Sequence, residues 1–244
     1  MAGFWFGRAS MNERDAWEKQ LECDGRVLVF EEATSTQDAA IAGGLTGGDV
    51  CTAIRQTAGR GRRGNTWDAT GGVALTVVLD ASTPMLPIAV GAALAASLNN
   101  ALPRVQVGIK WPNDIIVEGR KLAGILIEER GGRCLVGVGL NVLEPPVTDQ
   151  KTICLIECGF SGDRVKAAQL VINSVFTAVS MSERKAIETW KNRDTLIGTT
   201  QTISSKGQKH TGLVIDIVPG NHLLLQTKQE IVTLEADQST VCMP

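Results

Sequence analysis

Apolar positions along this chain follow two rhythms, an alternation suited to strands and a three-to-four spacing suited to helices. Residues 26–30 form a short β-branched run that predicts a first strand. Thr34, Ser35, Thr36, Gln37 and Asp38 follow, and an alanine-rich stretch continues to Ala42. Ser35 with Asp38 three positions on has the form of a capping box opening a helix. Hydroxyls and amides at a helix N-terminus also suit a polar ligand, but the local sequence favours the plain cap. Paired glycines at 43–44 and 47–48 close that helix and make a turn. Strands are predicted over 50–55 and 73–79. Pro84 and Pro87 bracket a helix start, and residues 87–102 are almost all Ala, Val, Leu and Gly, which predicts a helix buried on most of its surface.

Further strands are predicted over 105–110 and 114–117, the second ending in a Glu118-Gly119 turn. Residues 122–128 and 133–142 read as a hairpin about Gly131 and Gly132. Ser161 and Asp163 then open a long helix whose apolar stripe is Val165, Ala168, Ile172, Val175, Phe176 and Val179. Ser180 with Glu183 reads as a second capping box, leading a short helix with Ile187 and Trp190. From about Asp194 the character changes to short β-like runs at 199–203, 211–217, 222–227 and 230–234, with Lys-Gly, Pro-Gly-Asn and Lys-Gln-Glu turns between them. That pattern predicts a small barrel of five strands or fewer, with a boundary near 192–198. Strands come in runs and helices stand apart, so the expected class is α+β with a mixed or antiparallel sheet. The expected division is a lead-in at 1–24, a main domain at 25–194 and a small domain at 195–244.

Composition narrows the classes. The 244 residues are 43% hydrophobic with a formal net charge of −2, so the chain as a whole is not a polyanion binder. Positive charge is local and densest at Arg55, Arg60, Arg62 and Arg63. The six cysteines (23, 51, 134, 154, 158, 242) form no C-x-x-C pair, and the two histidines lie far from them, which argues against zinc. Cys51 and Cys134 sit in apolar runs and read as core thiols, and all six are expected reduced. No apolar run reaches the roughly 18 uninterrupted residues of a membrane helix. Phe4, Trp5 and Phe6 are followed by charged residues and lack a signal's apolar stretch, so a cytoplasmic protein is expected.

The stretch from Gln56 to Trp67 concentrates the chemistry, with Gly59, Gly61 and Gly64 interleaved with Arg60, Arg62 and Arg63. Glycines allow close backbone approach and arginines offer a fork of donors to carboxylate or phosphate, so the loop reads as one that wraps an anion. It matches G-x-G-x-x-G, but a dinucleotide site needs a helix next, and here a strand follows. No G-K-[ST] is present for a P-loop. An RNA-binding loop with Trp67 as a stacking platform is the other reading, and the net charge weighs against it. A second cluster joins Lys110, Trp111, Pro112, Asn113 and Asp114 to the run from Gly119 to Leu126. Gly124 would let a flat ligand lie on the backbone. Lys121 either reaches a carboxylate or phosphate, or guards a hairpin edge against aggregation; Lys110 has the same ambiguity.

These motifs, with the Gly137 to Asn141 run, stand in the order and spacing of the biotin protein ligases, and the chain resembles that family from about residue 27 to its end. The resemblance implies a class II synthetase-like α+β catalytic domain and a small SH3-like barrel. It implies that biotin and Mg-ATP give biotinyl-5′-AMP, and that biotin then passes to a lysine of a carboxyl-carrier domain. By position, Ser35, Thr36 and Gln37 would bond the ureido head of biotin, with Gln56 nearby, although the family often has asparagine where Gln37 stands. Arg60, Gly61 and Arg62 would line biotin, and Gly124 would pack on its rings. Lys121 would contact the carboxylate and then the adenylate linkage. Trp67 would cover adenine, and Arg60, Arg63, Asn113 and Asn141 would lie near the nucleotide. Lys121, Arg62 and Asp114 are the expected catalytic set, Asp114 assisting the acceptor lysine. No metal ligand is marked, magnesium arriving with ATP. Some members carry an N-terminal DNA-binding domain; the first strand predicted at residue 26 leaves no room for one, so no DNA partner is expected. A homodimer through a sheet edge is compatible with the family, although no residue marks that surface. The alternatives are a lipoate or octanoate enzyme of the same superfamily, whose histidine near the loop is missing here, and a nucleic-acid-binding module.

Overall fold

Seven strands form the sheet on which everything else is mounted. The structure is a computed structural model describing residues 12–148, 150–218 and 222–242. Phe4, Trp5 and Phe6, and the expected turn at 219–221, lie outside the described residues. In chain order the elements are α1 (Glu13–Gln20), β1 (Val27–Ala33), α2 (Thr36–Ala42), β2 (Val50–Gln56), β3 (Gly59–Arg60), β4 (Thr66–Trp67), β5 (Val73–Leu79), α3 (Leu86–Ala101), β6 (Val107–Lys110), β7 (Asp114–Val117), β8 (Arg120–Arg130) and β9 (Arg133–Leu140). There follow α4 (Arg164–Ser180), α5 (Glu183–Lys191), β10 (Thr200–Ser205), β11 (Gln208–Val218), β12 (His222–Gln226), β13 (Ile231–Glu235) and β14 (Ser239–Val241).

The main sheet runs β1-β2-β5-β9-β8-β7-β6, with β1 parallel to β2 and every other neighbour antiparallel. It is therefore mixed, within an α+β fold. β5 is buried at every position, as a central strand covered on both faces should be. One face packs on α3, which in turn packs on α4 and α5. Burying a Leu or Val side chain there contributes about 1.5–3 kcal/mol, and α3 carries no charged residue that would oppose it. Trp190 of α5 packs so closely on α3 that a Cβ on Gly91 would lie 2.6 Å from its ring. The other face is covered by α2 at one end, over Cys51, Val78 and Leu135, and is open at the other. All six cysteines are free thiols, and burial pushes Cys51 up to about 12.

The second sheet is antiparallel in the order β13-β12-β11-β10-β14. Its last strand was not among the predicted runs. It joins the first sheet through residues 193–195, which hydrogen-bond along the edge of β6: Ile109 N–H donates to Arg193 O at 2.8 Å, and Thr195 N–H to Ile109 O at 3.0 Å.

Two capping assignments are corrected. Ser35 is the N-cap residue of α2, but its side chain makes no capping hydrogen bond. Ser180 is the last residue of α4; the cap of α5 is Ser182, whose hydroxyl accepts from Lys185 N–H at 3.4 Å. Asp163 caps α4 as expected. Within the segment read as a lead-in, the described residues form a docked helix. Trp17 of α1 is buried, with the Arg164 guanidinium 5.2 Å from its ring centroid, and Arg164 also pairs with Glu13 and donates to Gly72 O and Ile54 O. Sequence periodicity over one buried residue in two turns is too thin to announce such a helix.

Candidate functional site

On the open face of the main sheet lies a cavity of about 560 Å³. Its floor is the β8–β9 pair. Leu126 stands opposite Gly137, and Gly124 opposite Gly139. With no side chains at three of these four positions, the backbone is bare, and the indole of Trp67 lies on it. A Cβ on Gly139 would sit 2.0 Å from Trp67 Cε2, and one on Gly124 3.2 Å from Trp67 Cζ3. Only glycine admits the ring at position 139. Gly124 was expected to make room for biotin; in this structure the group packed against it is Trp67, together with the Lys121 stem.

The loop that delivers Trp67 is a minimal hairpin. Gly59 pairs with Trp67 and Arg60 with Thr66. A short 3₁₀ turn over Arg62–Gly64 links the two strands. No α-helix follows the third glycine, so the dinucleotide reading is excluded by geometry as well as by sequence.

Beyond Trp67, toward Gly137, the wall is neutral and deeply buried. Ser35, Thr36 and Gln37 are each 3–4% exposed. Thr36 N–H donates to Gln56 Oε1 at 2.9 Å, and its hydroxyl shares a hydrogen bond with Thr76 at 2.8 Å. Gln37 donates its amide to the carbonyls of Leu126 at 3.0 Å and Leu135 at 3.3 Å. Both donors are thereby spent on strand backbone, which fixes the amide orientation. The plain-cap reading of Ser35 fails for the same tertiary reason: its neighbours are drawn into a pocket wall.

Toward Lys121 the site is charged. Lys121 Nζ lies 2.7 Å from Asp114 Oδ1, both side chains being 19% exposed, and 5.6 Å from the Trp67 ring centroid. β8 is paired on both sides, so Lys121 is no edge lysine and that reading is withdrawn. Arg62 reaches Asn113 Oδ1 at 3.4 Å and the carbonyls of Ala236, in the short turn between β13 and β14, and Ser239, at the start of β14. It forms no ion pair among the described residues, and burial, then the neighbouring Arg63, pushes its guanidinium below the ordinary value. A half-buried cation without a carboxylate is a place for an anion.

The remaining expected residues are distributed unevenly. Arg63 donates to Thr240 Oγ1 at 2.9 Å on an exposed rim. Asn113 donates to Ile125 O and Asn141 to Lys121 O and Ile153 O, so both are tied to backbone at the cavity wall. Arg60 lines the cavity, and its guanidinium is held by Asp38. Lys110 lines the charged end. Sequence reasoning missed Thr76, whose hydroxyl holds that of Thr36, and it missed Pro146, Thr148, Gln150, Thr152 and residues 240–242, which line the cavity. Thr76, a lone hydroxyl in an apolar strand, was a usable signal. Residues 240–242 carried none, because their nearness to Arg62 and Arg63 is purely tertiary. No cluster of three or more His, Cys, Asp or Glu side chains suited to a metal occurs among the described residues. No described helix is long and apolar enough to cross a membrane.

The model of the biotin/lipoate A/B protein ligase family matches residues 31–143. The biotin–[acetyl-CoA-carboxylase] ligase of Mycobacterium tuberculosis is 30% identical over 236 residues, covering 85% of this chain and 86% of that protein. The bifunctional ligase/repressor BirA of Escherichia coli is 32% identical over 187 residues, but the chain spans only 58% of that protein's length. In three dimensions, the biotin protein ligase from Aquifex aeolicus in complex with biotin and ATP superposes with a TM-score of 0.80 at 22% identity, covering 89% of this chain and 99% of that one. The glycine-floored cavity, the arginine loop and the relative matched over 86% of its length agree: this chain belongs to the biotin protein ligase family.

Proposed function

We propose that the chain activates biotin with Mg-ATP and transfers it to a lysine of a biotin carboxyl-carrier domain. The observation that carries this reading is the two-ended cavity divided by Trp67. A neutral, hydrogen-bonding end and a cationic end lie along one strand pair, spaced by the four residue steps from Gly137 to Asn141, about 13 Å at strand rise. That suits a ligand made of a polar uncharged head, an apolar middle and an anionic junction.

In this reading biotin's ureido ring meets Ser35, Thr36, Gln37 and Gln56, and its carboxylate reaches Lys121. The carboxylate oxygen attacks the α-phosphorus of Mg-ATP, the acyl-phosphate bond forms, and pyrophosphate leaves. Negative charges converge in that step, and Lys121 and Arg62 offset them. Trp67 stands between the two arms of the intermediate, with Asn141 and Asn113 on the nucleotide side. An acceptor lysine amine then attacks the acyl carbon and AMP leaves. Asp114 pairs with Lys121 at 2.7 Å. Once Lys121 turns to the anion, Asp114 is free to take the proton that the acceptor lysine must lose to become the attacking amine. Magnesium enters as part of the nucleotide substrate. The second sheet is assigned as an SH3-like barrel that supplies the carbonyls bracing Arg62, with the domain boundary between α5 and β10.

Incubation with biotin and Mg-ATP followed by native mass spectrometry is expected to detect bound biotinyl-5′-AMP. Absence of both adenylate and pyrophosphate release overturns the reading. A lipoate enzyme is the alternative within the family. The buried hydroxyls and amide at the neutral end favour a ureido ring over an apolar dithiolane, so excess lipoate should leave adenylate formation unchanged.

A further inference from the structure

Of the three arginines on the loop, Arg60 is the one that pairs with carboxylates among the described residues. Its guanidinium grips Asp38 as a fork, with Nη1 2.6 Å from Oδ2 and Nη2 2.8 Å from Oδ1. Asp38 lies in the first turn of α2, directly after the wall residues Ser35, Thr36 and Gln37. Its Oδ1 also accepts from Arg130 Nη1 at 2.7 Å, at the end of β8. Glu128 Oε2 closes the cluster, 3.8 Å from Arg60 and 3.5 Å from Arg130. Four charges of balanced sign thus join three elements, and Asp38, Glu128 and Arg130 are not among the residues lining the cavity.

We propose that Asp38, Arg130 and Glu128 are positioning residues that clamp the arginine loop shut through Arg60, and so set how fast a bound acyl-adenylate escapes. The proposal rests on the adenylate reading of the cavity. The loop needs such a fastener because its own structure is slight: two strands of two residues each, joined by a short turn. A single exposed pair would be weak, but a bidentate fork shared with a second arginine is the geometry in which surface pairs count. The Arg60 hydrogen bonds outweigh burial and, helped by Arg130, hold the Asp38 carboxyl at about 2, so the clamp stays charged through neutral pH. All four side chains are 29–40% exposed, so salt should loosen it.

The rival explanation is that Asp38 only complements the dipole of α2. A double-substitution cycle separates the two. Hydrogen exchange of the peptide spanning 59–66 is measured in the ligand-free protein, where Gly61 N–H donates to Asn65 O. Asp38→Asn and Arg60→Gln should each speed it about fivefold, and the double variant should be no faster than either alone. Release of preformed adenylate should accelerate by the same factor. Arg130→Gln, the fallback should Asp38→Asn fold poorly, should give about a twofold rise. Unchanged loop exchange in the single variants, or effects that add in full, overturns the clamp. Should the wild type form no adenylate, the functional reading fails, and the exchange experiment still decides the clamp by itself.

Discussion

The two ends of the cavity are built on opposite plans. At the end walled by Ser35, Thr36 and Gln37, the donors of the last two are already engaged: Thr36 with Gln56 and Thr76, Gln37 with two strand carbonyls. At the other end Arg62 has no carboxylate partner among the described residues, and Lys121 has a single one, Asp114. The first end is finished before a ligand arrives. The second holds cations in reserve, at a desolvation cost met by the rest of the fold. A preset neutral wall selects shape and hydrogen-bonding pattern, whereas unpaired cations act on charge that develops during reaction.

The sharpest way to break this comparison is Lys121→Ala. If the charged end does the chemistry, adenylate formation should fall by at least about 100-fold, with biotin affinity and thermal midpoint little changed. Pyrophosphate release and a melting curve check both, and a mere rise in KM would place Lys121 with the neutral wall instead. Arg62→Gly should come next. It removes charge-assisted hydrogen bonds to the intermediate, and adenylate should dissociate about tenfold faster, measured by chasing labelled adenylate into excess cold ligand. The smallest effect belongs to the neutral end. Thr36→Val removes one hydroxyl hydrogen bond and should raise the KM for biotin about fivefold with kcat retained. A fall in kcat would show that the two ends are not separable.

Much of the architecture was legible in advance because local rules and tertiary context agree there. The strand at 73–79, the buried helix after Pro84 and the Asp163 cap all follow from side chains that obey their own neighbourhood. Ser35 shows where that legibility ends. The capping-box pattern was real, yet β8 and β9 pull Gln37 into the wall and leave the Ser35 hydroxyl without a capping bond. Lys121 is a similar case. Next to a turn in sequence it resembles an edge lysine, and only the arrival of residues 151–153 on its far side, opposite β7, makes this end of β8 interior.

By itself the sequence determined the α+β class, the run of elements, the glycine–arginine loop and the family. Those rest on periodicity, on turn chemistry and on motif order, each readable within a few residues or along the chain. Tertiary structure alone decided how the loop's three arginines divide their tasks. Arg60 turns to Asp38, 22 positions before it, and Asp38 is met on the same side by Arg130, 92 positions further along the chain than Asp38. Arg62 turns to the cavity because the second sheet, more than 170 positions away, brings its carbonyls there. Which of several identical side chains meets which partner is a matter of long-range distance, and a one-dimensional pattern carries no distances.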